Sequence, residues 1–238
     1  MNKNKIIYVP MGADILHSGH LNIINKAIKY GSIVIGLFTD SAIAEYKSLP
    51  LINYSQRLEI MKNLKGIDKI VRQDTWDYSK NLNKLKPDYL IHGDDWKNGI
   101  QKKTRSQVIN ILKKWKGKLI EVPYTKEPNI KKNQKNIQSI FFNPETRVTR
   151  LKRLLDSKKI VRFIECHNPL TGLMVENLKI NYKNEFKEFD GIWSSSLTDS
   201  ASNGKPDNQS VELSTRINNL NNVIEVTSKP VLFDADNG

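Results

Sequence analysis

The sequence predicts an α/β fold, with a parallel sheet covered by helices on both faces in the first half and a second strand–helix unit behind it. Three observations carry this. Short apolar runs alternate with helix-like stretches up to about residue 122, as expected when parallel strands are joined by helical crossovers. His17, Asp40 and Asp94 each follow the end of a strand candidate, and in open α/β sheets ligands sit outside the carboxyl ends of the strands. A new strand–helix pattern then begins at Pro144.

The elements follow in order. Residues 6–9, within Lys5-Ile6-Ile7-Tyr8-Val9, read as a buried strand. A short loop with Gly12 and Asp14 leads to His17-Ser18-Gly19-His20, and residues 21–30 read as a helix. Further strands are expected at 33–38, 69–71, 89–91 and 119–122, and further helices at 55–64, 79–85 and 106–115. Residues 1–126 thus form the first domain. The stretch 127–143 is polar, basic and aperiodic, and reads as a linker or a helical extension. The second domain, 144–238, opens with a helix to residue 156 and a strand at 161–166. No internal repeat is evident.

The 238 residues suit one to two domains. No apolar run nears the roughly 20 residues of a membrane span, and Met1-Asn2-Lys3-Asn4-Lys5 carries no signal-peptide pattern. A single cysteine, Cys166, excludes an intrachain disulfide, fits a reducing compartment and reads as a packed thiol. A cytoplasmic protein without a membrane partner is expected. The net charge of +13 raises the question of nucleic acid. Its lysines (Lys62, Lys65, Lys69, Lys84, Lys86) are scattered and no Arg–aromatic array accompanies them. Small anionic substrates, not nucleic acid, are the expected partners.

The strand–loop–helix around His17 has the character of a phosphate site. A helix N-terminus offers unpaired N–H groups and partial positive charge. Imidazoles at i and i+3 fall on one side of the first turn, and Gly19, without a Cβ, lets a nucleotide approach the backbone.

His17-Ser18-Gly19-His20 resembles the HxGH signature of the cytidylyltransferase-like nucleotidyltransferases. Ile91-His92-Gly93-Asp94-Asp95-Trp96 is similar to the Gly-Asp-Asp-Trp segment of glycerol-3-phosphate cytidylyltransferases and of cytidylyltransferases in phosphonate pathways. Tyr54-Ser55-Gln56-Arg57, with Lys47 upstream, resembles the family's basic segment. The likeness spans residues 5–122. It implies a Rossmann-like parallel-sheet nucleotidyltransferase domain in which a phosphate or phosphonate oxygen attacks the α-phosphorus of CTP, with CTP as substrate and pyrophosphate as product. The catalytic set implied is His17 and His20, donating to the triphosphate, with Lys47 and Arg57 meeting its remaining charge, Arg57 through a bidentate fork. Gly12, Asp14, Gly19, Asp94, Trp96 and Thr125 are the implied nucleotide-binding residues and Asp40 a substrate-binding residue. Among these, Asp14, Asp40 and Asp94 are left open between Mg²⁺, ribose, base and acceptor. The family's Arg-Thr-x-Gly-Ile-Ser-Thr run is altered here to Tyr124-Thr125-Lys126-Glu127-Pro128-Asn129-Ile130-Lys131-Lys132. Thr125 and Ile130 match it, while Lys131 and Lys132 replace the hydroxyl pair.

The second half carries its own resemblance. Phe163-Ile164-Glu165-Cys166-His167-Asn168, Gly191-Ile192-Trp193-Ser194-Ser195-Ser196-Leu197 and Leu232-Phe233-Asp234-Ala235-Asp236-Asn237-Gly238 are similar to the opening strands of the phosphoenolpyruvate mutase / isocitrate lyase superfamily. The spacer from Ser200 to Asp207 fits as well. The likeness implies a (β/α)8 barrel, a fold of about 200 residues or more, so 144–238 is expected to be an incomplete barrel. The family's gating-loop lysine and barrel histidine and arginine would fall beyond Gly238, and this chain alone is not expected to run the mutase reaction. Asp234 and Asp236 are the implied Mg²⁺ ligands. Trp193, Ser194 and Ser195 would bind substrate, and Asp207 would be catalytic, stabilising or relaying a phosphoryl group. Three functional readings follow: a bifunctional phosphonate-biosynthesis enzyme using CTP, a phosphonate such as 2-aminoethylphosphonate, and phosphoenolpyruvate; a glycerol-3-phosphate-type cytidylyltransferase; and a non-enzymatic nucleotide-binding module. Acceptor identity and a homo-oligomeric state are left open.

Overall fold

Five parallel strands, β1 (Ile6–Met11), β2 (Ser32–Phe38), β3 (Lys69–Gln73), β4 (Tyr89–Gly93) and β5 (Lys118–Val122), form one sheet in the order β3-β2-β1-β4-β5. This is a computed structural model that describes residues 4–97, 101–123, 144–182 and 185–236. The chain divides into two units, Met1–Ile130 and, for the most part, Lys131–Gly238. Thr125, Asn129, Lys131, Lys132 and the whole stretch read as a linker lie outside the described residues.

Helices α1 (Ser18–Ile28), α2 (Asp40–Tyr46), α3 (Tyr54–Lys62), α4 (Ser79–Leu85) and α5 (Lys102–Lys113) connect the strands of the first unit. The period-2 alternation of β1 explains why both faces are covered. Ile7 and Val9 point into one core with Ile24, Ile33, Ile35, Met61 and Ile91, whereas Tyr8 points into the other with Phe38, Tyr78, Leu82, Leu90 and Trp96. Gly36 on β2 makes room for the Tyr8 ring, since a Cβ there would lie 2.0 Å from the Tyr8 hydroxyl oxygen. Strand order runs outward from β1 to β3 and then restarts on the other side at β4. The crevice between the carboxyl ends of β1 and β4 is therefore the topological switch point, where α/β sheets place ligands.

Several elements depart from the expected bounds, α5 beginning at Lys102 and not at residue 106, and two differences have a plain physical reason. The helix expected from residue 21 begins at Ser18, because His17 caps it. The seven-residue α2 escaped notice; Thr39 starts it by accepting the Ala42 N–H at 3.3 Å, and so short a helix shows little periodicity.

In the second unit β6 (Phe163–Glu165), β9 (Gly191–Ser194) and β10 (Val231–Phe233) are parallel, in the order β10-β9-β6. A two-stranded ribbon, β7 (Ile180–Tyr182) and β8 (Glu185–Lys187), lies between β6 and β9 in the chain. Helices α6 (Pro144–Ser157), α7 (Pro169–Asn177), α8 (Ser196–Ser202) and α9 (Leu213–Glu225) complete this run of β/α units. Cys166, Val175, Ile192 and Val223 form its core. Gly172 lets α7 and α9 pack closely, as a Cβ there would lie 3.2 Å from Val223 Cγ1 and 3.3 Å from Val226 Cγ2. Burial pushes the Cys166 thiol up, in keeping with a packed thiol. Among the described residues no helix is long and apolar enough to cross a membrane.

Candidate functional site

At the end of β1 the chain turns through Gly12 and Asp14 and enters α1 with His17 as N-cap. The His17 ring accepts the Gly19 N–H through Nδ1 at 3.1 Å, and the His20 ring accepts the His17 N–H through Nδ1 at 3.4 Å. This reciprocal box satisfies two of the orphan donors at the helix start. It also sets the tautomers. A nitrogen that accepts carries no proton, so each neutral ring has its N–H at Nε2. The two rings stand 4.1 Å apart. Burial, then the nearness of His17 and Lys47, brings the His20 pKa down to about 4. At neutral pH it is an uncharged donor at the positive end of a helix.

Lys47 ends α2, with its ammonium 5.8 Å from the Trp76 ring centre. Its charge bears on both His20 and His92. His92, on β4, lies flat against Trp96 at 3.8 Å with 8° between the planes. Its Nδ1 is 2.8 Å from the Gly93 carbonyl, and burial lowers its pKa. Thus His17 and His20, 4.1 Å apart after β1, and His92 on the neighbouring β4 share the influence of the Lys47 charge, which bears on His20 and His92. His92 was not singled out from the sequence, although it stands in the motif that named Asp94 and Trp96. Its position at a strand end was the signal available.

The remaining expected residues divide. Asp14 braces the loop by accepting the Ile52 N–H at 2.9 Å, and Gly19 gives its N–H to the cap. Asp94 opens a 3₁₀ turn, Asp94–Lys97, directly after β4. Arg57 requires correction as a bidentate phosphate fork. Its side chain is fully buried, and its N–H groups go to the carbonyls of Ile52 (3.0 Å), Gly12 and Phe38 (2.8 Å) and to Asp40 Oδ1 (2.7 Å). Four bonds from five donors leave no fork for a ligand, and Asp40, expected to hold substrate, is its ion-pair partner. Trp96 also requires correction as a nucleotide contact. The ring is buried, covered by His92, and its indole N–H donates to Glu121 at 2.8 Å.

Glu121 holds this support together. Arg105 reaches it with Nε at 2.8 Å and a second nitrogen at 3.1 Å. Those bonds, with the Trp96 N–H and the Lys97 charge, outweigh desolvation and depress its pKa from 4.5 to about 2. A depressed carboxylate stabilises the fold above its unfolded pKa and loses that contribution as pH falls through the folded value. Stability is therefore expected to fall between pH 4.5 and about 2, and Glu121→Gln to flatten that slope in urea melts across this window.

In the second unit Asp234 follows β10. Its Oδ1 accepts the Asp236 N–H at 3.1 Å and its Oδ2 the Ser196 hydroxyl at 3.2 Å; the former bond leads in lowering its pKa. Asp236 Oδ2 is paired with buried Arg216 at 2.8 Å, and that guanidinium also reaches Asp199 at 3.0 Å and the Asp234 carbonyl at 2.7 Å. Hard carboxylate oxygens at a strand end suit Mg²⁺ completed by water and substrate. Asp234 meets that description, while Asp236 already has a cation. Among the described residues no group of three or more His, Cys, Asp or Glu could hold a metal. Ser194 and Ser195 are buried and Trp193 is exposed. Asp207 lies in an exposed turn after α8, and among the described residues no hydrogen bond or ion pair joins it to the Asp234 cluster.

A five-stranded parallel sheet with a reversal of strand order, and imidazole donors at a helix start beside it, define a nucleotide-binding α/β protein. Residues 13–140 match the family model described as Cytidylyltransferase-like, and the chain belongs to that family. Residues 151–238 match the model described as Phosphoenolpyruvate phosphomutase. An FAD synthase of Methanohalophilus mahii is 35% identical over 82 residues, 34% of this chain and 58% of that protein. An ethanolamine-phosphate cytidylyltransferase of Dictyostelium discoideum is 32% identical over 97 residues, 40% of this chain and 27% of that protein. The chain thus spans between about a quarter and three fifths of the length of these relatives. The crystal structure of a lipopolysaccharide core biosynthesis protein from Thermoplasma volcanium aligns at a TM-score of 0.43 and 22% identity, covering 52% of this chain and 98% of that one.

Proposed function

We propose that the first unit transfers a cytidylyl group from CTP to a phosphonate such as 2-aminoethylphosphonate, and that the second belongs to an isomerase turning phosphoenolpyruvate into phosphonopyruvate. The observation that carries the first half is the pair of Nε2–H donors fixed at the start of α1. In the step itself an acceptor phosphonate oxygen bonds to the α-phosphorus, the bond from that phosphorus to the bridging oxygen breaks, and pyrophosphate departs with the electron pair. Such a transfer needs positioning and neutralisation of charge more than covalent work. His17 and His20 supply hydrogen bonds to the triphosphate and Lys47 supplies charge.

Two observations support the aminoalkyl phosphonate. A relative is named for ethanolamine phosphate, of which 2-aminoethylphosphonate is the counterpart without the ester oxygen. The neighbouring mutase match supports chemistry that makes a carbon–phosphorus bond. Asp234, with Asp236 if Arg216 yields it, would hold Mg²⁺, which neutralises phosphoryl and carboxylate charge when bound. Glycerol 3-phosphate is the second reading for the acceptor, since Gly93-Asp94-Asp95-Trp96 resembles the segment of glycerol-3-phosphate cytidylyltransferases as well as that of the phosphonate ones.

Incubation of the full chain with CTP and MgCl₂ tests this, with 2-aminoethylphosphonate, ethanolamine phosphate and glycerol 3-phosphate offered separately. Pyrophosphate release is expected with the phosphonate. Preference for glycerol 3-phosphate replaces the first reading by the second, and no release with any acceptor overturns both.

A further inference from the structure

The tautomers divide the site into two chemical sides. His17 and His20 accept at Nδ1 and so present N–H at Nε2. His92 is the reverse. Its Nδ1 lies 2.8 Å from a carbonyl oxygen, and two lone pairs do not face each other at that distance, so Nδ1 carries the proton and the neutral ring offers a lone pair at Nε2. No hydrogen bond to Nε2 occurs among the described residues, and the side chain is 12% exposed.

The ring is also held in place. Trp96 covers one face, Glu121 fixes the indole, and Arg105 fixes Glu121. Such a chain of supports is what a preorganised binding group needs. His92 stands near the carboxyl end of β4, the strand that pairs with β1, and the charge of Lys47 bears on both it and His20. Of the charged groups bearing on the ring, Lys47 works with burial against its protonation while Asp95 and Glu121 favour it, and burial, the largest influence, leaves its pKa lowered. A CTP triphosphate brings only acceptor oxygens, and an imidazole lone pair repels them.

We infer that His92 is a binding residue for the second substrate, accepting through Nε2 a hydrogen bond from an amine, a hydroxyl or a singly protonated phospho oxygen of the acceptor molecule. This rests on the transfer reading for the identity of that molecule.

Two measurements on the full chain test it. With ¹⁵N-histidine labelling, His92 is expected to show the Nδ1–H tautomer and His17 and His20 the Nε2–H tautomer. Saturating 2-aminoethylphosphonate or glycerol 3-phosphate should move the His92 Nε2 resonance, whether or not turnover occurs. Movement with CTP alone, or none with either acceptor, overturns the inference.

Kinetics supply the second arm. His92→Phe keeps a ring against Trp96, His92→Asn keeps a donor near the Nδ1 position, and His92→Gln puts a polar group near the Nε2 position. Loss of one hydrogen bond should raise the acceptor KM about tenfold in the Phe and Asn variants and leave the CTP KM within about twofold, with recovery in the Gln variant. An equal fall in kcat for all three, with both KM values unmoved, marks a structural role and overturns the proposal. Absence of turnover in the unaltered chain counts against the transfer reading alone, because the resonance titration still decides His92.

Discussion

Replacing His17 with asparagine is expected to lower turnover about 10²-fold, the loss typical of one transition-state donor, with little change in melting temperature. The choice of residue matters because His17 does two jobs. Through Nδ1 it caps α1, accepting the Gly19 N–H, and through Nε2 it offers the donor proposed to meet the triphosphate. Alanine would remove both, and loss of the cap alone costs about 0.5–2 kcal/mol. Asparagine is among the best N-caps and keeps an oxygen for the backbone N–H, but it has nothing where Nε2 stood. Pyrophosphate release measured beside a thermal melt separates the two functions. An unchanged rate with an unchanged melt removes His17 from the phosphate site. Burial is the leading cause that brings His20 down to about 4 and persists in the variant, so His20 is not expected to compensate by becoming an imidazolium at neutral pH.

The sequence disclosed what depends on local order and concealed what depends on distant backbone. The strands and α1 were legible because β-branched runs and a helix following a His-x-Gly-His loop are patterns within a dozen residues. The donor pair was legible for the same reason, since the capping box that sets its tautomers spans only His17 to His20. Arg57 shows the opposite. Its charge is visible in the sequence, but the carbonyls of Gly12, Phe38 and Ile52 that consume it are not. Trp96 beside two aspartates invited a nucleotide-binding role, whereas its partner is Glu121, 25 residues on and across the sheet from β4 to β5. His92 was passed over because its value lies in which ring nitrogen the Gly93 carbonyl engages, a matter of geometry that composition does not carry. In the second unit Arg216 illustrates the same limit: nothing near it in sequence shows that it closes on Asp199, Asp236 and the Asp234 carbonyl.

Arg57→Met is expected to destabilise the first unit by about 3–5 kcal/mol, the range for removing one partner of a buried ion pair. Methionine fills much of the arginine's volume, so the loss is electrostatic. The carbonyls of Gly12, Phe38 and Ile52 lose a donor together, and the Asp40 carboxylate, only 15% exposed, loses its cation. Each buried acceptor left unpaired costs desolvation without return. Arg57→Lys should recover only part of this, because one ammonium cannot span acceptors that come from the β1 loop, the end of β2, the start of α2 and the turn before α3. Asp40→Asn should be milder, since the amide oxygen still accepts. Urea melts of the three variants give the order Met, Lys, Asn from most to least destabilised. A Met variant within about 1 kcal/mol of the unaltered chain would mean that the guanidinium is not the staple described, because a value that small fits an exposed pair. The staple also has a kinetic consequence. Gly12 leads into the loop that sets the entry of α1, so a variant that still folds should lose turnover through misplacement of His17 and His20, not through loss of a phosphate contact. On that account its KM for CTP changes less than its kcat.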